Sequence, residues 1–325
     1  MANAKTRAIV FQILFAAGII AAVWFFVANA VANLEARRIA TGFGFLLREA
    51  GFEIGESTLI SYNASDTYLK ALAVGLLNTF RVALLAIVCS TAIGIAVALA
   101  RLSLNALLQR IAAAYVEVLR NVPLVVQLFF WYALITEILP APADALSPIA
   151  GVFFSNRGIA FPWFSLDSGF HIELPVLTGF NFSGGAVLSP EFAALFFGLS
   201  LYTAAFIAEI VRAGILSVPR GQQEAARALG LTPRQGLRYV IVPQALRAIV
   251  PPLTSQYLNC TKNSSLAVAI GYPDLVSIAN TAINQTGQAI EGIAIIMLVY
   301  LAISLAISGF MNWYNQRFAL RGAKT

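Results

Sequence analysis

Charge is what this sequence has least of: Asp, Glu, Lys and Arg together make up only 11% of its 325 residues. So few charges cannot clothe a soluble globule of this size, since 59% of the residues are hydrophobic and the mean hydropathy is +0.79. Cysteine and histidine are nearly absent. Cys89 and Cys260 both lie in apolar runs, which excludes a disulfide framework and a cysteine metal motif. His171 has no nearby cysteine, second histidine or paired carboxylate, so a surface or loop-packing role is expected of it, with no catalytic residue and no metal. No G-x-x-x-x-G-K-[ST] phosphate loop occurs, so nothing argues that the chain itself binds ATP. The formal charge of +6 sits in arginines at the borders of apolar runs, without a basic stripe interleaved with aromatics, and nucleic acid is rejected as a partner.

What fills the chain instead is apolar sequence in runs of about 20 residues, the length at which a helix satisfies its own backbone across hydrocarbon. Six are expected to span a membrane, near Ala8–Val31, Ala71–Ala100, Val122–Leu139, Glu191–Gly214, Ala248–Ile270 and Gly292–Trp313. The first follows Lys5 and Arg7 as a signal peptide would, but it is longer than an h-region and shows no small-residue cleavage site, which favours a retained anchor. With the amino terminus inside, the inner side collects Lys5, Arg7, Arg101, Arg110, Arg212, the loop arginines, Arg317, Arg321 and Lys324. The outer side then holds Arg37, Arg38, Arg48, Lys70 and Arg157, together with most of the acids, and both termini are cytoplasmic. The organisation expected is an N-terminal anchor and outer segment over 1–70, a helical domain over 71–317 and a tail over 318–325. Within that domain, 140–190 is an outer insertion rich in Pro, Gly, Ser and aromatics without helical period, read as a compact cap or short strands.

The polar stretch 216–247 between the fourth and fifth runs carries five arginines and one acid, Glu224. Glu224 to Leu229 are strong helix formers halted by Gly230, and Thr232-Pro233 reads as the cap and first residue of a second helix. Composition alone allows either an ordinary positive-inside loop or a docking element.

The order of residues resembles the E-A-A loop of ABC importer permeases: E-A-A, three residues, Gly, nine residues, then I-x-L-P. Glu224, Ala225, Ala226, Gly230 and Val240-Ile241-Val242-Pro243 keep that spacing, with Val in place of Ile and Leu. Two further stretches, Tyr115–Phe130 and Leu201–Gln223, resemble the polar amino acid permeases of that superfamily. The extra N-terminal run and the long outer insertion resemble the larger permease subunit of bacterial general L-amino acid importers, near those for glutamate, glutamine, aspartate and asparagine. The resemblance implies an all-α type I ABC importer transmembrane fold in the bacterial inner membrane. It also implies that Glu224, Ala225, Ala226, Gly230 and Pro243 dock a separate ATPase. Partners follow in the same way: a second related permease in a heterodimer, two copies of a cytoplasmic ATPase holding ATP and Mg²⁺, and a periplasmic amino-acid-binding protein. The substrate implied is a polar L-amino acid, acidic or amide.

Charges within the apolar runs are costly and call for partners. Glu117 with Arg120, and Glu209 with Arg212, share an i, i+3 spacing that puts each pair on one helical face near the inner border, as an ionic cluster or as substrate contacts. Arg81, near an outer border, reads as snorkelling to the interface. Lys262, Asn263, Ser264 and Ser265 lie deep in the fifth run, where Pro251-Pro252 would kink the helix toward a cavity. They are read as lining a substrate pathway, with a structural clamp between subunits as the alternative for Lys262. Two rival classes remain, an ion-gradient-driven carrier and a non-transporting scaffold. The absence of a convincing internal repeat weighs against the first, and intramembrane polar residues weigh against the second.

Overall fold

In a computed structural model, residues 4–36, 41–57, 59–165 and 171–314 are described. The expected tail over 318–325, together with Arg37, Arg38, Arg317, Arg321 and Lys324, lies outside them. Ten helices are present among the described residues, and the apolar runs set the long ones: α1 (Ala4–Ala36), α2 (Tyr68–Arg101), α5 (Pro190–Leu216) and α10 (Ala289–Tyr314). These four are long and apolar enough to cross a membrane. Two bent pairs raise the number to six if each counts as one span. In the first, α3 (Ala106–Asn121) turns by 104° at Val122-Pro123 into α4 (Leu124–Ala133), which a π turn extends to Ile138. Pro123 sets that corner because it cannot donate to a continuous helix.

The second pair departs from the simple fifth span that the apolar run predicts. A π turn (Leu237–Ile241) leads into α8 (Val242–Asn263), which tightens into a 3-10 stretch over Ser264–Ile270 and breaks at Gly271, φ +79°. Chain direction then changes by 50° into α9 (Leu275–Thr286), capped by Asp274 and stopped at Gly287. The sequence reading has no counterpart for α9, since Asn280, Thr281, Asn284, Gln285 and Thr286 leave it an apolar stripe at Leu275, Ile278, Ala279 and Ala282 and no continuous apolar run.

The body is built on α2 against α5. Both starts are fixed by side-chain caps: Thr67 accepts from Lys70 N, and Ser189 accepts from Phe192 N with Pro190 in the first turn. The two helices approach closely because Gly94 has no Cβ; one built there would come within 2.6 Å of Ile207 Cγ2. Apolar side chains bury in three groups: α2, α4 and α5 with the Ser264–Ile270 stretch; α2 and α9 with the 41–54 segment; and α2, α3, α5 and α8. By contrast, α1 buries none of its apolar window, as expected of a helix whose neighbours are lipid.

The insertion forms a β cap on the helical body, the one sizeable departure from an all-α chain. Strands β1 (Leu146–Ile149), β2 (Val152–Ser155), β3 (Gly158–Phe161) and β8 (Ala186–Leu188) make an antiparallel sheet in that order. Strands β4 (Trp163–Ser165) and β5 (His171–Glu173) pair separately, as do β6 (Val176–Thr178) and β7 (Asn181–Ser183). The cap joins the start of α5, while α6 (Arg220–Ala228) and α7 (Pro233–Gly236) follow its end. These two ends of α5 are called here the cap end and the loop end.

Candidate transport site

At the loop end, Pro219 starts α6 and Gly230, at φ +76°, ends it; its N–H bonds Arg227 O at 2.9 Å and Leu231 N bonds Ala226 O at 3.1 Å. Thr232 and Gln235 then form a reciprocal capping box on α7, so the corner closes α6 through backbone bonds and opens α7 through side chains. The hairpin has two faces. Ala226 is buried against Gly236, whose added Cβ would meet the Ala226 methyl at 3.6 Å. Glu224, Ala225 and Leu229 point outward, Leu229 being 81% exposed, and Pro243 is exposed at the start of α8. Of the two alanines, only Ala225 therefore lies on the outward face, while Ala226 keeps the corner tight. Gln244 donates to Gln222 at 3.3 Å and ties α6 to α8.

Glu209 on α5 is the centre of a charged cluster toward the loop end. It accepts from Arg212 Nη2 at 2.5 Å and from Arg101 at the end of α2, a third member that spacing along one helix could not reveal. The equivalent pairing expected of Glu117 and Arg120 is corrected: among the described residues they form no ion pair. Glu117 is exposed, and the Arg120 guanidinium lies 5.0 Å from the centroid of Phe206 on α5. The i, i+3 spacing permits a pair, but α3 packs across α5 and gives Arg120 an aromatic face instead.

The four polar residues of the fifth run do not form one lining. Lys262 and Ser265 face a cavity of about 410 Å³ with Val276 on α9 and Met297, Tyr300 and Ser304 on α10. Asn263 faces another, of about 260 Å³, with Gln256, Asn259 and Cys260 on α8 and Tyr202, Thr203 and Phe206 on α5. Ser264 lines neither; it is buried, with its hydroxyl donated to Thr261 O at 2.7 Å. Helical geometry explains the split, because Gln256, Asn259 and Asn263 recur at i, i+3, i+7 on one face and Lys262 and Ser265 share another. That periodicity is the signal through which Gln256 and Asn259 could have been found. The second cavity holds three amides and two hydroxyls and no charged side chain on its wall, so it can hydrogen-bond polar groups of either sign.

At the cap end, Arg81 does not snorkel. It pairs with Glu56 at 3.3 Å and lies 4.5 Å from the Phe192 centroid. Glu56 also accepts from the Ser189 hydroxyl, and its backbone carbonyl accepts from Asn78 Nδ2 at 2.9 Å, which bonds Pro273 O at 3.0 Å as well. The 41–57 segment is thereby stitched across the starts of α2 and α5 and the break before α9. Burial pushes the Glu56 carboxyl above its ordinary range, against the lowering effects of the Ser189 hydroxyl and Arg81.

Apolar spans, an interrupted polar helix and a protruding two-helix corner define a membrane-embedded permease subunit. The inner-membrane-component model of binding-protein-dependent transport systems matches residues 90–320, and the chain belongs to that family. It is 43% identical to the general L-amino acid transport system permease protein AapQ of Rhizobium johnstonii, over 98% of this chain and 94% of that one. Identity is 36% to the glutamate/glutamine/aspartate/asparagine transport system permease protein BztB of Rhodobacter capsulatus, over 97% and 93%. A solved structure described as an amino acid ABC transporter with histidines superposes with a TM-score of 0.58 at 28% identity, over 77% of this chain and 95% of that one. The chain is an integral inner-membrane protein and a transport subunit.

Proposed function

We propose that this permease carries polar L-amino acids inward, the acidic and amide ones among them, and that the work is done by a separate ATPase docked on α6. The observation that carries this reading is the α6–Gly230–α7 corner, whose outward Glu224, Ala225 and Leu229 offer one charge, one small residue and one apolar knob to a groove. Displacing α6 acts on α5 through the short connection at Ser217–Pro219 and on α8 through Gln244. Those two helices form the walls of the amide-lined cavity, so a stroke at the corner can alter the site without travelling through flexible chain. Glu209, held by Arg101 and Arg212, makes α2 and α5 move together at that end.

In this reading Gln256, Asn259 and Asn263 meet the substrate's polar atoms, while Lys262 faces α9 and α10 as a clamp or a second contact. The partners are a second, related permease, two copies of the ATPase that hold ATP and Mg²⁺, and a periplasmic binding protein. The cap end faces the periplasm and both termini face the cytoplasm. The names of AapQ and BztB support the substrate class, and the arginines of the 216–247 stretch support the orientation. Co-purification from detergent, followed by uptake in proteoliposomes, tests it: an ATPase and a second permease should accompany the chain, and vanadate should stop import. Uptake driven by an ion gradient in vanadate would favour a secondary carrier.

A further inference from the structure

Beneath the β cap lies a cavity of about 750 Å³ between the cap and the helix ends. The cap contributes Ser155, Asn156 and Arg157 from the β2–β3 turn, and the body contributes Tyr132, Glu191 and, from the 41–57 segment, Glu56. A second cavity of about 450 Å³ shares Gly55, Glu56, Ser189 and Glu191 with the first and reaches Pro273, Ser277 and Thr281 at the break before α9. Glu56, pinned by Arg81 and Ser189, thus stands in the wall between a chamber under the cap and the interrupted helix that borders the membrane pathway.

The charges around this chamber balance: Glu56 is matched by Arg81, while Glu191 and Arg157 face the same space without pairing to each other. Among the described residues, Glu191 accepts only from the Tyr132 hydroxyl, at 3.2 Å, and Arg157 makes no ion pair. Asn156 adds an amide oxygen that is shut off from solvent and accepts no hydrogen bond within the chain. An unpaired guanidinium on the cap and an under-used carboxylate on the body, on opposite walls, suit a dipolar molecule better than a simple anion or cation.

We propose that this chamber is a binding site for the zwitterionic head of an α-amino acid, with Arg157 taking the carboxylate and Glu191 taking the ammonium. The site receives the molecule before it reaches the membrane pathway, and selects by the backbone groups common to all amino acids and not by side chain. The inference rests on the function proposed above and deepens it.

The test uses the importer purified with its partner subunits but without a binding protein, and radiolabelled L-glutamine as the probe. Competition is measured with 4-aminobutanamide, which lacks the carboxylate, and with glutaramic acid, which lacks the ammonium. The wild-type complex should prefer L-glutamine to both. Arg157→Gln should weaken L-glutamine binding at this site about tenfold and abolish the preference over 4-aminobutanamide alone, and Glu191→Gln should do the same for glutaramic acid. Arg157→Lys should keep the preference. Unchanged affinity and preference in Arg157→Gln and Glu191→Gln would overturn the chamber site while leaving import intact. A wild-type complex that imports no L-glutamine with ATP and binding protein present would instead overturn the function on which it rests.

Discussion

Glu209 on α5 is bound by Arg101 from the last turn of α2, which locks together the two helices that form the centre of the body. Glu209→Gln would leave two arginines facing each other. Because the side chains of this cluster stay 18% to 29% exposed, the cost is discounted to about 1–2 kcal/mol. Glu117→Gln, at the look-alike motif on α3, should cost under about 0.5 kcal/mol, since Glu117 is exposed and makes no ion pair among the described residues. Thermal unfolding of the two variants in detergent separates them.

Two glycines should respond to alanine with opposite signs. On Gly94 the new methyl would meet Ile207 and Ala204 O, at 2.6 Å and 3.0 Å, so overpacking of about 1–3 kcal/mol outweighs the gain in helix propensity. On Gly221, in α6, nothing lies within 4 Å of the new methyl, and Gly221→Ala should stabilise by up to about 1 kcal/mol. Unfolding midpoints check both; stabilisation by Gly94→Ala would mean that α2 and α5 are not in close contact there.

The corner at Gly230 should separate folding from docking. Ala226→Leu forces a larger side chain between α6 and Gly236 and should loosen the hairpin, seen as faster proteolysis at the 216–247 stretch. Ala225→Leu, on the exposed face, should leave proteolysis unchanged and weaken retention of the ATPase in a pull-down.

Much of this was legible from residues alone, and the limits have physical causes. The helix stop at Gly230 and the Thr232-Pro233 start are local, fixed by a left-handed residue and a side-chain cap, and both appear where the sequence puts them. Long apolar runs likewise gave α2, α5 and α10 to within a few residues. Pairings across the fold were not legible. Nothing near Arg81 announces Glu56, 25 residues earlier, and nothing near Glu209 announces Arg101, because both contacts exist only after α2 and its neighbours pack. The break at Gly271 and the helix after it were hidden for another reason: α9 is a short helix apolar on one stripe only, and a span is recognised by a continuous apolar run of about 20 residues.

Stability should depend on pH through Glu56. Burial raises its carboxyl above the ordinary range, so the folded chain binds the proton more readily than the unfolded one, and stability falls as pH rises through the interval above that range. Glu56→Gln keeps an acceptor for Ser189 and removes the titration. The unfolding midpoint of the variant minus that of the wild type should therefore increase as pH rises from the ordinary carboxylate range into the interval above it. A difference that stays flat across this interval would show that Glu56 does not titrate abnormally.

The most direct measurement is L-glutamine uptake by proteoliposomes that hold the complete assembly, with the binding protein outside and ATP inside, for the wild type and for Leu229→Asp. Leu229 is 81% exposed on the corner, so the variant should insert and fold normally. The wild type should import only with ATP and stop with vanadate, and Leu229→Asp should import little while its permease subunits remain paired. Wild-type uptake without ATP, or full ATP-driven uptake by Leu229→Asp, would contradict the relay of force through α6.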